Sequence, residues 1–297
     1  MKLQKATRKR AKIRLCLQGP SGAGKTYSSL LVANGLCDDW SKIAVIDSEN
    51  QSADLYAHLG GYNTLSIGAP FSPERFIEAI EICQKAGMEV IIIDSLTNEW
   101  DGSGGILDIH SNMAGNSFTN WAKLTPRHNN LVQAILQSKS HIIATVRKKQ
   151  DYILQEKNGK QVPEKVGLKS VQRDGLDYEF TIVFDIDIKQ HATASKDRTS
   201  LFNNKPPVVL SEKEGKVLLD WCNQGEDTEL ASHQFSEKIQ AIASVTELRN
   251  LYRENPEYKS SHETEFINRK EKLEIKRAKN KYNNLNSTKN GTSLNIN

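Results

Sequence analysis

Residues 19–26 read Gly19-Pro20-Ser21-Gly22-Ala23-Gly24-Lys25-Thr26, a complete G-x-x-x-x-G-K-[ST] phosphate loop. This stretch constrains the fold more than any other, because such a loop works only between a buried strand and a helix. Both flanks comply. Lys12-Ile13-Arg14-Leu15-Cys16-Leu17 has the apolar pattern of a short strand, and Tyr27-Ser28-Ser29-Leu30-Leu31-Val32-Ala33 starts a helix. Gly19, Gly22 and Gly24 let the backbone wrap an anion without side-chain clash. The loop N–H groups and the positive end of the helix then face it, with Tyr27 immediately beyond. Lys25 has the reach for β- and γ-phosphates, and the Thr26 hydroxyl is suited to ligating Mg²⁺. A chance glycine-rich turn would not carry these flanks.

Strand and helix signals alternate as far as about residue 222, which predicts an α/β fold with a mostly parallel central sheet flanked by helices. Strands are expected at 13–18, 42–47, 64–67, 89–94, 140–146, 180–188, 199–202 and 207–210. A helix at 73–86 has Ser72 as N-cap and Pro73 at its first position. Another, at 211–223, opens with Ser211, Glu212 and Glu214, whose charges suit a helix start. The expected organisation is a nucleotide-binding domain over 1–225, a helical extension over 226–282 and a disordered tail over 283–297. Within the extension, helices are expected at 233–253 and 261–281 around Asn255-Pro256. The tail has little to bury.

The chain is 37% hydrophobic and contains no run of 18 apolar residues, so no transmembrane helix is expected. The basic first ten residues lack the apolar stretch of a signal peptide. Cys16, Cys37, Cys83 and Cys222 are far apart in sequence and suit buried thiols of a reducing compartment. Together these features lead to the expectation of a cytoplasmic protein. A net charge of +4 permits nucleic-acid binding without demonstrating it.

Glu89-Val90-Ile91-Ile92-Ile93-Asp94 is an apolar strand ending in a carboxylate, the Walker B pattern. Asp94 would hold the Mg²⁺ shell at the carboxyl end of its strand, where α/β sheets bind ligands. Ile43-Ala44-Val45-Ile46-Asp47-Ser48-Glu49 is a second strand ending in acids. Hydrolysis needs a carboxylate to orient water, and Asp94 is followed by Ser95 and Leu96, not by an acid. Glu49 is the candidate catalytic residue and Asp47 its competitor. No Asn-Lys-x-Asp guanine signature occurs, so ATP is the expected nucleotide.

Asp94-Ser95 after an apolar strand, together with Asp47-Ser48-Glu49-Asn50-Gln51-Ser52-Ala53-Asp54 after the phosphate-loop helix, resembles the RecA-like ATPase core. The resemblance gives Glu49 the role of catalytic glutamate. It makes Ile142-Ile143-Ala144-Thr145-Val146 a sensor strand between the phosphate-loop and Walker B strands, with Thr145 or Arg147 sensing the γ-phosphate. Ser195-Lys196-Asp197-Arg198-Thr199 resembles the Lys-Asn-Arg finger of RadA-type proteins and of DnaB-like helicases. That likeness makes Lys196 and Arg198 act on a neighbouring protomer's nucleotide, with Asp197 in place of the usual Asn. The pattern over about residues 10–224 looks closest to phage-type AAA family ATPases with a RecA core, a group that includes single-strand annealing recombinases. The resemblance implies an Mg²⁺-dependent ATPase acting on single-stranded DNA in phage or mobile-element recombination. It also implies a homo-oligomer, ring or filament, and a single-strand-binding protein as a further partner. A KaiC-like or helicase-like ATPase and a nucleotide-gated binding module with little turnover are the alternatives.

RecA-like proteins bind DNA through loops after the Walker B and sensor strands. The first such region here holds Trp100 and, later, Trp121. The second runs from Arg147 through Lys148, Lys149, Tyr152 and Lys160, with Asn158-Gly159 signalling a hairpin. Lysines and an aromatic suit a single-stranded backbone and a stacked base, although lysines also guard edge hairpins against aggregation.

Overall fold

The computed structural model describes residues 9–157, 160–225 and 228–289. Residues 11–224 form one compact unit, and 225–297 with the first ten residues form another. In the first unit the phosphate loop joins β1 (Arg14–Gly19) to α1 (Lys25–Cys37). Next come β2 (Ile43–Asp47), β3 (Asn63–Ser66), α2 (Pro73–Lys85) and β4 (Val90–Asp94). Three helices, α3 (Thr97–Asp101), α4 (Ile106–Ser111) and α5 (Ser117–Gln137), precede the hairpin of β5 (His141–Lys157) and β6 (Lys160–Ser170). The unit ends with β7 (Ile182–Ile186), β8 (Ala192–Asp197) and α6 (Glu212–Asn223).

The sheet order is β3-β2-β4-β5-β1-β7-β8, with β6 paired to β5 off this path. Every pairing from β3 to β7 along this order is parallel, and β8 runs antiparallel to β7. The first half of β5 therefore lies between β1 and β4, and its second half leaves the sheet as a hairpin with β6. This is the α/β fold of a P-loop NTPase. Strands buried on both faces explain the unbroken apolar runs Val90–Ile93 and Ile142–Ala144. Alternate residues feed two cores. Leu15, Leu17, Val45, Ile92 and Ile143 join the α1 and α6 side, whereas Cys16, Ile46, Ile91, Ile93 and Ile142 join the α2 and α5 side. Helices α1 and α6 cross at Gly35 and Gly215. A Cβ on Gly35 would lie 2.1 Å from the Glu212 carbonyl oxygen, so only glycine allows this approach.

Buried Arg14, the first residue of β1, donates to the carbonyls of Leu136 (3.1 Å), Ser140 (2.9 Å) and Ser138, covering the end of α5. Burial lowers its pKa to about 10. On the same edge the Ile13 N–H donates to His141 Nδ1 at 3.1 Å, which requires that nitrogen unprotonated.

Three sequence expectations need correction. Residues 199–202 and 207–210 are not strands. The strand is β8, six residues earlier, and Val208 makes a single bridge to Ala192. Leu201 and Phe202 are apolar because they plug the core from a turn, with the Phe202 ring 5.0 Å from that of Phe184. The helix expected at 233–253 is two helices, α7 (Thr228–Ala241) and α8 (Val245–Glu254), because Ser244 caps the second and accepts from the Glu247 N–H. The last helix, α9 (Glu263–Lys289), continues past residue 283, where the composition suggests an unstructured tail; 290–297 lie outside the described residues. The Asn158-Gly159 turn also lies outside them, although the strands that it would join are present. Ser72 precedes α2 in extended backbone, with Pro73 first in the helix, but makes no side-chain capping bond. Among the described residues no helix is long and apolar enough to cross a membrane.

Burial pushes the His141 pKa from 6.5 down to about 3, with Lys12 and Arg14 adding to the effect. Between those values the unfolded chain binds a proton that the folded chain does not, so stability falls as pH drops below 6.5, by up to about 1.4 kcal/mol per pH unit. In His141→Asn the amide oxygen can accept from Ile13 without titrating. Denaturant midpoints measured from pH 7 to 4 should fall less steeply for this variant than for the parent. Parallel curves would remove His141 from the acid response.

Candidate active site

The carboxyl ends of β1, β2, β4 and β5 meet at a cavity of about 500 Å³ lined by the phosphate loop, Glu49, Tyr56, Asp94, Arg147 and Gln190. Gly22 and Gly24 have φ near +80°, which side chains disfavour. Gly24 caps α1 without a side chain, and the first turn of α1 contains no acid. The first N–H groups of α1 are therefore left for an exogenous anion. Lys25 Nζ donates to the Gly19 (3.1 Å) and Pro20 (2.9 Å) carbonyls, and burial lowers its pKa despite Asp94 and Glu49 nearby.

Asp94 is 2% exposed, and both of its oxygens are engaged. Thr26 Oγ1 donates to one at 2.6 Å and Thr145 Oγ1 to the other at 2.5 Å. Burial raises its pKa, against the lowering effect of the two hydroxyls. Beside it, β2 and β4 are pinned together. The Ser48 N–H donates to the Asp94 carbonyl at 2.8 Å, and Asn98 Nδ2 donates to the Ser48 carbonyl at 2.7 Å. The Asp94–Ser95 peptide is cis.

The two acids that end β2 have different surroundings. Asp47 accepts the N–H groups of Glu49 (2.6 Å) and Ala53 (2.8 Å), so it shapes the turn after β2. Glu49 faces the cavity and is gripped by Arg147, Nε to Oε1 at 2.9 Å and Nη2 to Oε2 at 2.5 Å. Partial burial raises the Glu49 pKa, but the guanidinium outweighs it and holds the group below the ordinary 4.5. Thr145 and Arg147, the two sensor candidates, are thus separated: Thr145 is buried behind Asp94, and Arg147 lines the cavity.

Two lining residues escaped the sequence reading. Tyr56 packs edge-on against Tyr27, with ring centroids 5.8 Å apart. Gln190, in the β7–β8 turn, would have its Cγ 3.4 Å from a Cβ on Gly24. Neither lies in a motif; a tyrosine one turn into 52–59 and a glutamine in a tight turn give no signal.

The sequence model of the AAA domain family matches residues 11–210, from the strand before the phosphate loop to two residues short of α6. The chain belongs to that family. No curated protein matches it. An AAA domain implies nucleotide binding, generally with Mg²⁺, and ATPase activity. The site fits both ligands: free helix-start amides and Lys25 for phosphates, and the Thr26 hydroxyl beside the Asp94 carboxylate for the cation. Among the described residues no group of three His, Cys, Asp or Glu could hold a metal alone. That suits Mg²⁺, which commonly takes one or two carboxylates and completes its shell with substrate phosphates and water.

The finger candidates lie away from the phosphate cavity, and the DNA candidates have unequal surroundings. Lys196 and Arg198 stand at the end of β8, where Asp197 pairs with Ile182 and Ile182 with Leu15. That is four residues, about 13 Å, back along the sheet from Gly19. They do not line the phosphate cavity. Lys196 Nζ donates to the carbonyls of Asp177 (3.1 Å) and Tyr178, and Arg198 Nη2 to that of Tyr178 (3.1 Å). Asp197 organises the following turn, accepting from the N–H groups of Thr199 (2.7 Å) and Phe202 (2.7 Å).

Lys148 pairs with Asp185 at 2.7 Å, and its side chain is only 16% exposed, so it is not a free cation for DNA. The Tyr152 and Lys160 side chains lie outside the described residues. Lys149 is exposed and borders a second cavity, of about 480 Å³, with Trp100, Trp121, Lys169 and Arg173. Trp121 stacks between Trp100 (5.9 Å) and His110 (4.3 Å). Beneath Trp100 lies a buried pair, His128 Nδ1 to Glu99 Oε1 at 3.0 Å.

Thr145→Val keeps the shape of the residue but strips Asp94 of one donor. It should cost about 1–3 kcal/mol of stability and raise the Mg²⁺ concentration needed for half-maximal nucleotide binding. Binding measured in chelator should change little. An unaltered Mg²⁺ dependence would reduce Thr145 to a packing residue.

Proposed function

We propose that this chain is a Mg²⁺-dependent, RecA-like ATPase that acts on single-stranded DNA in strand annealing or recombination of the phage or mobile-element kind. One observation carries the DNA part. The strand bearing Thr145 and Arg147 at the phosphate cavity continues directly to Lys149 at an aromatic cavity. Nucleotide and DNA sites on one strand give a physical route for coupling.

Bound ATP with Mg²⁺ supplies the phosphoanhydride and the cation that offsets its charge. Lys25 and the α1 amides bind phosphate oxygens. Thr26 and Asp94 provide ligands to the cation, and Thr145 orients Asp94. Glu49, ionised at neutral pH, orients the attacking water and accepts hydrogen bonds from it. Arg147 occupies both Glu49 oxygens in this state, which favours slow basal turnover and supports a nucleotide-gated module as the second reading. Lys196 and Arg198, remote from their own cavity, act on a neighbour's nucleotide in an oligomer.

A variant series separates these roles. Lys25→Ala should lose nucleotide binding, whereas Glu49→Gln should bind normally and turn over about 10²–10⁴-fold more slowly. Arg198→Ala should be inactive alone and regain activity when mixed with Lys25→Ala, since mixed interfaces join an intact loop to an intact finger. A Glu49→Gln protein with parental turnover, or co-assembled mixtures without activity, would refute the corresponding role.

The DNA reading is tested by turnover and binding with oligothymidylate. The aromatic cavity holds Asp101, Asp151 and Asp174 as well as its cations, and Lys169 is 3.0 Å from Asp174. Local charge is nearly balanced, so stacking should outweigh phosphate attraction. Both faces of Trp121 are already covered by Trp100 and His110, so Trp100→Ala is the test: it should weaken binding by about 1–3 kcal/mol with little change in salt slope. If oligothymidylate neither binds nor stimulates turnover, the ATPase acts on something other than DNA.

A further inference from the structure

The second unit has its own core of Phe235, Ile239, Leu248, Phe266 and Leu273, built by α7, α8 and α9. At the surface of that core, α8 and α9 leave a groove of about 290 Å³. Its floor is apolar, formed by Leu248, Tyr252, Phe266 and Ile267, and Ile267 is 52% exposed. Its rim carries Arg249, Arg253 and Lys270 against a single acid, Glu263.

The two arginines are one turn apart on α8, where like charges repel. Within α8 no acid stands three or four residues from either. Among the described residues neither has a hydrogen-bond or ion-pair partner. Arg269 differs, since it donates to the Ile242 carbonyl and so holds the helices together. Lys270 lies 3.9 Å from Glu274, both half exposed, a contact that water largely screens. A fourth cation, Lys259, lies 4.7 Å over the Tyr252 ring at the edge of the groove.

We propose that this groove docks an acidic peptide segment with bulky apolar side chains, contributed by a partner protein. The apolar floor would take the side chains, and the unpaired arginines would receive the carboxylates as charge-assisted hydrogen bonds. Nucleic acid fits less well. The floor offers a sugar–phosphate chain only the Tyr252 hydroxyl, and Lys259 already covers a face of the Tyr252 ring on which a base would stack.

The test uses the full chain and a fluorescein-labelled peptide, Glu-Asp-Leu-Asp-Glu-Phe-Leu-Glu-Asp, followed by fluorescence anisotropy. One control peptide has its acids replaced by Gln and Asn, and another has Leu and Phe replaced by Ser. Saturable binding is expected, weakened at least about tenfold in each control and weakened by salt. Arg249→Gln/Arg253→Gln, both exposed, should lose binding by a similar factor with unchanged helix content and ATP turnover. Ile267→Ser probes the floor separately and should weaken binding of the parent peptide but not of the Ser-substituted one. Equal binding of the neutral peptide, or no binding of the acidic one at millimolar concentration, overturns the proposal. So does displacement by oligothymidylate with the same arginine dependence, which would make the groove a nucleic-acid surface.

Discussion

The carboxylate of Asp94 is the point on which the site depends. A nearly inaccessible charge is costly unless donors surround it, and here two hydroxyls do so, one from the phosphate-loop helix and one from β5. Those two bonds tie α1, β4 and β5 together where the three elements must agree for nucleotide to bind. Burial nevertheless raises the Asp94 pKa, which marks a charge that the protein only partly compensates. A cation at Thr26 and Asp94 would complete the compensation, so the same pair that stabilises the fold has reason to bind Mg²⁺.

The position of β5 makes this possible. Inserted between β1 and β4, it delivers Thr145 behind Asp94 and, two residues on, Arg147 into the cavity. Alternation along the strand places both side chains on one face: the first holds the Asp94 carboxylate and the next meets Glu49. Leaving the sheet, the strand carries Lys149 to the Trp100–Trp121 stack. A displacement of Arg147 has a short covalent path to that surface.

The parts legible in the sequence were those with a local cause. The phosphate loop, Asp94 at the end of an apolar strand and the acids ending β2 each announce themselves within eight residues. The parts that were not legible depend on distant partners. Leu201 and Phe202 have the composition of a strand but fill a turn against Phe184, whereas Ala192-Thr193-Ala194-Ser195 is a weak strand former held by its pairing with β7. Spacing left Asp47 as a competitor to Glu49, and only the fold separates their surroundings, because Asp47 accepts the N–H groups of Glu49 and Ala53. Lys148 and Lys149 are equivalent in sequence, and the fold divides them: Lys148 is held by Asp185 at 2.7 Å, whereas Lys149 stays exposed, 4.0 Å from Asp101. Tyr56 and Gln190 reach the cavity through folding alone.

Charge balance within the cavity gives the Glu49–Arg147 pair its meaning. Lys25 and Arg147 face Asp94 and Glu49, two cations against two carboxylates. Lys25 rests on loop carbonyls and Arg147 on Glu49, so each cation has an internal partner that a phosphate oxygen would have to displace. For Lys25 the exchange gives up two neutral acceptors. For Arg147 it gives up a bidentate carboxylate at 2.5 and 2.9 Å, the stronger kind of contact. The two cations therefore differ in readiness. Lys25 suits the initial capture of phosphate. Arg147 suits a later exchange in which the gain of a phosphate contact and the release of Glu49 toward water are one event.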